Sequence, residues 1–267
     1  MTTLLVSRTC RPEAGLLATH ARRAGWEVQW LQRRCGPRRL HGREFGLYAQ
    51  TDVALRIARL HGLALIEPSL DLLARLPSRY LLRQVDFMTL ADAERLTEPK
   101  FVKPADCTAK LFDAAVYASG RHIFCDDALS RQTPVLAAEP VDWDAEFRTI
   151  VLERRIVTFS PYIRGGWLAR NAQGQWPFSL SEAEQMLDFC RTLLADDTVN
   201  LPPAFVLDAG FITSRGWAVV EMNPAWCSGL LGCDLSLMLP VLRRACRRSN
   251  ELSRSDQSWV IERSAAQ

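Results

Sequence analysis

Lysine is almost missing from this chain. Of its 33 basic residues only three are lysine, and all three, Lys100, Lys103 and Lys110, fall within one short segment. A chain that uses arginine nearly everywhere keeps lysine where a compact ammonium on a flexible stem is required, and a tight phosphate pocket is such a place. Other absences narrow the field. No apolar run approaches the roughly 20 residues of a membrane span. The N-terminus lacks the basic start and long apolar stretch of a secretory signal, so a cytoplasmic protein without a membrane partner is the expectation. The eight cysteines include no Cys-x-x-Cys pair, and the four histidines do not cluster beside them. That argues against zinc and for buried thiols. With a net charge of only +3, nothing demands a nucleic-acid partner. Missing too are the Gly-x-x-x-x-Gly-Lys-Ser/Thr phosphate loop, the Gly-x-Gly-x-x-Gly dinucleotide turn, and the protein-kinase and Gly-x-Ser-x-Gly hydrolase signatures.

What is present is an ordinary globular composition, 48% hydrophobic and 24% charged over 267 residues, enough for a real core. Strands at Leu4–Val6, Glu27–Leu31 and Arg43–Tyr48 alternate with helices at Ala14–Ala24 and Thr51–Leu60, the latter capped by Thr51. With a short strand at Leu63–Ile66 they predict a small α/β layer. Helices are expected at Arg79–Val85 and Thr89–Arg95. Strands follow at Phe101–Pro104, Ala115–Tyr117, His122–Cys125 and Val135–Ala138. Phe147–Leu152 and Ile156–Tyr162 read as an antiparallel pair turning at Glu153-Arg154-Arg155. A helix at Ser181–Leu194 precedes strands at Ala204–Ala209 and Trp217–Met222. A closing helix is expected at Leu235–Arg247, and the last 20 residues read as polar and frayed.

The strands on either side of Ser214-Arg215-Gly216 carry the most informative local pattern. A turn centred between Ser214 and Arg215 places Asp208 opposite Glu221, provided no bulge intervenes. Asn223, two residues on, shares the face of Glu221. Two carboxylates facing each other in otherwise apolar strands repel, and a cation is the direct compensation. Asp, Glu and Asn offer only oxygens, the preference of magnesium or manganese rather than zinc.

The order of motifs is specific. Phe101-Val102-Lys103-Pro104 puts a lysine at a strand end, and Val135 to Val141 is a strand entering a proline-stiffened linker. Glu146-Phe147-Arg148 opens the next strand, and Asp208 then Glu221-Met222-Asn223-Pro224 close the series. From about Pro77 to Asp234 this resembles the ATP-grasp superfamily, in its arginine-using branch. The resemblance implies an α+β fold in which two lobes clasp ATP, preceded by the small α/β layer. The domains would be residues 1–75, a first lobe over 76–140, a second over 141–250 with the metal site, and a polar tail over 251–267. It further implies that Lys103 contacts phosphate, that Glu139 and Val141 form the adenine hinge, and that Glu146 holds the ribose. Arg148 would contact the triphosphate, and Asp208, Glu221 and Asn223 would hold Mg2+ or Mn2+.

The chain departs from the family pattern in two places. The helical region before Phe101 has no lysine, so Arg79 or Arg83 would take that role. The usual glycine-rich phosphate loop reads Ala105-Asp106-Cys107-Thr108-Ala109-Lys110, which is stiffer, with Lys110 reaching over the phosphates. Members of the superfamily mostly join a carboxylate to an amine through an acyl phosphate and release ADP. The resemblance thus implies a ligase whose carboxylate and amine partners, small molecule, peptide or protein, are unspecified. A small-molecule kinase or a non-catalytic ATP-binding module on the same fold are the alternatives. The loop Trp226 to Gly232 would border the acceptor, with Arg164 and Arg170 as candidate carboxylate receptors.

Overall fold

The computed structural model describes residues 2–7, 13–31, 40, 44–108 and 111–261. The first layer holds β1 (Thr2–Ser7), α1 (Ala14–Arg23), β2 (Glu27–Leu31), β3 (Glu44–Tyr48) and α2 (Thr51–His61). The strands are parallel, in the order β2-β1-β3. Leu4, Leu5 and Val6 in the central strand are wholly buried, as parallel strands covered on both faces require. The cap of α2 is Gln50, not Thr51, which is already helical. The helix ends where Gly62 turns left-handed, at φ +61.

β4 (Leu63–Leu65) then leads into two single-turn helices, α3 (Leu72–Arg75) and α4 (Ser78–Leu81). The helix expected to reach Val85 stops at Leu82, which adopts φ +48. Val85 instead opens a strand that the sequence pattern did not reveal. That strand, β5 (Val85–Thr89), is followed by α5 (Leu90–Ala93), β6 (Lys100–Pro104), β7 (Ala115–Tyr117) and β8 (Pro134–Ala138). They form a four-stranded sheet in the order β5-β8-β6-β7. Thr89 caps α5 as expected, accepting from the Asp92 amide. The strand expected at His122–Cys125 does not form, because Gly120–His122 is a 3-10 turn.

The second, larger sheet is antiparallel. It comprises β9 (Trp143–Leu152), β10 (Arg155–Arg164), β11 (Trp167–Leu168), β12 (Ala204–Ile212) and β13 (Gly216–Asn223), in the order β11-β10-β9-β12-β13. β9 and β10 join through Glu153 and Arg154, both left-handed at φ +46 and +59, the two-residue turn whose twist matches the strands. α6 (Leu180–Ala195), capped by the Ser179 side chain, packs Met186, Cys190 and Leu193 on one face of this sheet. The other face meets the first layer and α7 (Met238–Ala245) in a second core that includes Ile150, Val206 and Trp226.

The closing segment differs from expectation. Cys246–Arg248 is a strand, β14, pairing antiparallel with β4, rather than the end of a helix. Nor is the following segment frayed over its described part. α8 (Arg254–Gln257) is capped by Ser253, Trp259 is buried, and the Trp259 carbonyl accepts from the Glu67 amide at 2.9 Å. Arg244 ties this segment to the β9–β10 turn, bonding Asp256 at 2.6 Å and Glu153 at 2.5 Å. Truncating the buried Trp259 ring to alanine should therefore cost about 3–5 kcal/mol of stability, read as a lower urea midpoint. An unchanged midpoint would show that the segment is not part of the core.

Candidate active site

The site is built on three neighbouring strands. Asp208 on β12 is paired in register with Arg148 on β9 at one side and with Glu221 on β13 at the other. Arg148 grips Asp208 with both arms of its fork, Nε to Oδ1 at 2.9 Å and Nη2 to Oδ2 at 2.6 Å, and its Nη1 donates to the Gly229 carbonyl at 2.7 Å. From the smaller sheet, Lys103 at the end of β6 reaches across to Glu221, Nζ to Oε2 at 2.5 Å. Asn223 donates to Glu221 Oε1 at 2.7 Å and lies 3.5 Å from Asp208 Oδ2. Two carboxylates thus stand side by side in one row with a cation at each end, and Arg148 with Lys103 offsets the repulsion between them.

The electrostatics follow from that row. Burial favours neutral Glu221, but Lys103, Arg148 and Asn223 outweigh it and hold the carboxyl down at about 2. Burial disfavours the Lys103 ammonium, yet Glu221 raises it overall. Arg148 is likewise raised against burial by Asp208. Asp208, with 0% of its surface exposed, is pushed up to about 6 by burial, against the pull of Arg148 and with the help of the Glu221 charge.

Asp208, Glu221 and Asn223 converge as the sequence predicts, and with the Asn223 amide turned about they present oxygen donors only. That donor set fits Mg2+ or Mn2+. The charge row also places two cations, Arg148 and Lys103, beside the acids.

Two cavities flank the row. One, of about 370 Å³, is walled by Glu139, Val141, Trp143, Glu146, Tyr162 and Val220. Here Glu139 is held by Arg215 at 2.6 Å, which lowers its carboxyl below the usual range, and it also accepts from the Gln84 amide at 3.3 Å. Burial raises Glu146, against the hydrogen bond that Tyr162 donates to it. The Tyr162 ring in turn lies 5.2 Å from the Arg148 guanidinium carbon. The other cavity, of about 440 Å³, is walled by Lys103, Arg148, Glu221, Cys227, Ser228 and Gly229 among others, so the loop after β13 does border the charged row. Tyr48, from the first layer, donates to the Ser228 carbonyl at 3.0 Å and fixes that loop from behind.

Lys103, Glu139, Val141, Glu146, Arg148, Asp208, Glu221 and Asn223 are therefore gathered around one cleft. Arg79 is not. It is exposed and bonds Asp196 beyond α6, a carboxylate that also accepts from Tyr80 at 2.8 Å. Arg83 lies in the cleft wall instead, where burial lowers it to about 10. Lys110 lies outside the described residues. Arg164 is taken by Glu182 at 2.7 and 2.8 Å, and Arg170 bonds the Gly174 carbonyl at 3.2 Å. Trp143 is a cleft wall and Trp226 core, whereas Trp167 is 80% exposed.

Sequence reasoning missed Tyr162, Arg215 and Glu67. Tyr162 falls where the β9–β10 register shifts between Pro161 and Ile163, which strand alternation cannot place. Glu67 is buried and lines a small recess beside Lys103 and Glu221. An acid closing the apolar run Leu63 to Ile66 was the available signal.

Removing Arg148 alone should cost about 3–5 kcal/mol, because it strands a fully buried carboxylate. The paired change Arg148→Met with Asp208→Leu should recover most of that loss. A double-mutant cycle by urea unfolding measures it, and additive losses would contradict the pairing.

Comparison with known proteins bears on the fold. The sequence profile of the ATP-grasp domain, R-2-K clade, family 2, matches residues 80–240. Among solved structures, D-cycloserine synthetase DcsG is similar at 14% identity, TM-score 0.59, covering 91% of this chain and 99% of that one. A RimK domain ATP-grasp protein from Sphaerobacter thermophilus is similar at 13% identity and TM-score 0.48, with the same coverage. No curated protein matches the sequence. No helix among the described residues is long and apolar enough to cross a membrane.

Proposed function

The chain belongs to family 2 of the R-2-K clade of ATP-grasp domains, and from that premise we propose that it is an ATP- and magnesium-dependent ligase joining a carboxylate to an amine, with release of ADP and phosphate. The observation that carries this reading is the row Arg148, Asp208, Glu221 and Lys103, two carboxylates flanked by two cations, at the mouth of a cleft between two sheets. A row balanced within itself can be exchanged wholesale. Incoming phosphates would take the two cations, and the released carboxylates of Asp208 and Glu221, with Asn223, would hold the metal. Bound there, Mg2+ supplies charge screening that lets an anionic carboxylate approach the triphosphate.

In the proposed reaction the substrate carboxylate oxygen attacks the γ-phosphorus and the bond to ADP breaks. The amine nitrogen then attacks the acyl carbon, the bond to phosphate breaks, and the nitrogen loses a proton to solvent. The protein's part is positioning. Arg148 is stationed by Asp208 and the Gly229 carbonyl before any ligand arrives, so the cation that is to meet the transferring phosphoryl oxygens already stands beside the carboxylates. Lys103, on the smaller sheet, brings the other lobe to the same phosphates. Glu139 and Val141 edge the base pocket and Glu146, oriented by Tyr162, faces the ribose. Cys227 to Gly229 border the acceptor side.

The test begins with calorimetry. Wild-type protein should bind ATP in a magnesium-dependent way at micromolar concentration, and Asp208→Ala with Glu221→Ala should abolish that dependence. Screening of acids in the presence of hydroxylamine should yield a hydroxamate with ADP release. A stable phosphate ester instead would identify a kinase, and ATP binding without turnover for any acceptor a non-catalytic module. A folded wild type that binds no ATP would remove the nucleotide reading.

A further inference from the structure

The loop of the β12–β13 hairpin has three residues, Thr213 to Arg215, closed by the pair Ile212 and Gly216. From that closure the register runs evenly to Ala209 opposite Val219 and then shifts, so that Asp208 faces Glu221 and Val220 has no partner on β12. The pairing expected from the sequence is therefore reached by a different route, an odd loop corrected by a β-bulge.

The bulge has a support. Successive carbonyls of a regular strand point to opposite edges. Here the carbonyls of Val219 and Val220 both accept from one side chain, Arg83, through Nη1 at 2.8 Å and Nη2 at 3.1 Å. Arg83 comes from the linker before the smaller sheet. Leu82, left-handed at φ +48, ends α4 and turns the chain there, and its carbonyl is held by Arg215 of the hairpin loop at 2.9 Å. The guanidinium carbon lies 4.9 Å from the Trp143 ring centroid. Trp143 presses on β12 at Gly210, where a Cβ would come within 2.5 Å of the ring.

We infer that Arg83 is a positioning residue for the metal hairpin: by capping two consecutive carbonyls it holds the bulge at Val220, and the bulge is what sets Glu221 opposite Asp208. Continued without a bulge, the register would bring Val220 opposite Asp208 and turn Glu221 to the other face. The fork of arginine suits the task, since its planar donors reach two acceptors at once whereas an ammonium is a point charge. The same guanidinium stands behind Trp143 and Val220 in the wall of the base cavity, so base pocket and metal ligand share one support. The register half of this inference stands on the nucleotide-free protein; its metal half rests on the function proposed above.

The experiment compares wild type with Arg83→Met, which keeps an unbranched chain against Trp143, and with Arg83→Lys. Amide hydrogen exchange is measured without nucleotide, and Mn2+ binding is measured by calorimetry at saturating ATP. Arg83→Met is expected to exchange at least about tenfold faster over residues 219–223 while β9 and β10 keep wild-type protection. It is also expected to bind Mn2+ at least about tenfold more weakly, with Arg83→Lys between the two. Wild-type exchange over 219–223 in Arg83→Met would overturn the proposal. So would loosened exchange with unchanged Mn2+ affinity, because the register would then not serve the metal. If Arg83→Met does not unfold cooperatively, Arg83→Lys decides, and wild-type exchange over 219–223 in that variant would overturn the proposal. A wild type that binds no Mn2+ would count against the function reading, while the exchange data would still decide the register.

Discussion

A carboxylate with none of its surface exposed is costly to hold inside a protein, several kcal/mol even after relaxation. Asp208 is such a group, and the structure around it is organised by the need to pair it. Arg148 does so with two parallel hydrogen bonds, which requires β9 to lie directly beside β12. That adjacency orders the large sheet and puts Glu221 on the far side of Asp208. It also leaves one arm of Arg148 to catch the Gly229 carbonyl, so the loop after β13 is drawn over the row. The position of that wall of the cleft thus descends from one buried ion pair.

The same arrangement divides the work between the lobes. Arg148, Asp208 and Asn223 are fixed on the large sheet, and Tyr162 and Glu146 continue that face toward the cavity lined by Glu139 and Val141. The smaller sheet contributes Lys103 to the row, through a single contact with Glu221. A rigid row on one side and one long flexible side chain on the other leaves freedom of adjustment on the Lys103 side. This accounts physically for why one of the few lysines in an arginine-rich chain stands at this point.

Much of this was legible in the sequence, for identifiable reasons. The Phe-Val-Lys-Pro strand, the Glu139 linker and the Glu221-Met222-Asn223-Pro224 motif are local, and local order carries them. The parallel layer of β1 to β3 was legible from alternating helix and strand periodicity. Strand β5 was hidden because Leu82 ends α4 at a left-handed non-glycine residue, a stop that composition does not announce. β14 was hidden because Cys246 to Arg248 continue a helical pattern until β4 claims them. Arg79 and Arg83 were indistinguishable on sequence grounds, since only the fold shows that one meets Asp196 and the other β13. The Asp208 to Glu221 pairing was reached although the loop is odd, because the bulge restores the register that an even loop would have had. Bulges also hid Tyr162. The partnership of Asp208 with Arg148 needed the order of strands in the sheet, which no local pattern holds.

The pairing of β4 with β14 and the bond from Tyr48 to the Ser228 carbonyl, 180 residues apart in sequence, bear on how the molecule comes into being. During synthesis the layer of β1 to β3 emerges well before the strand that pairs with β4 and before the loop that Tyr48 braces. Contacts of such long range form slowly, because loop closure precedes their reward. The nascent chain therefore spends a long interval with its first layer lacking the later elements that complete its core. The charged row, which needs β9, β12 and β13 together, would thus be completed late and all at once.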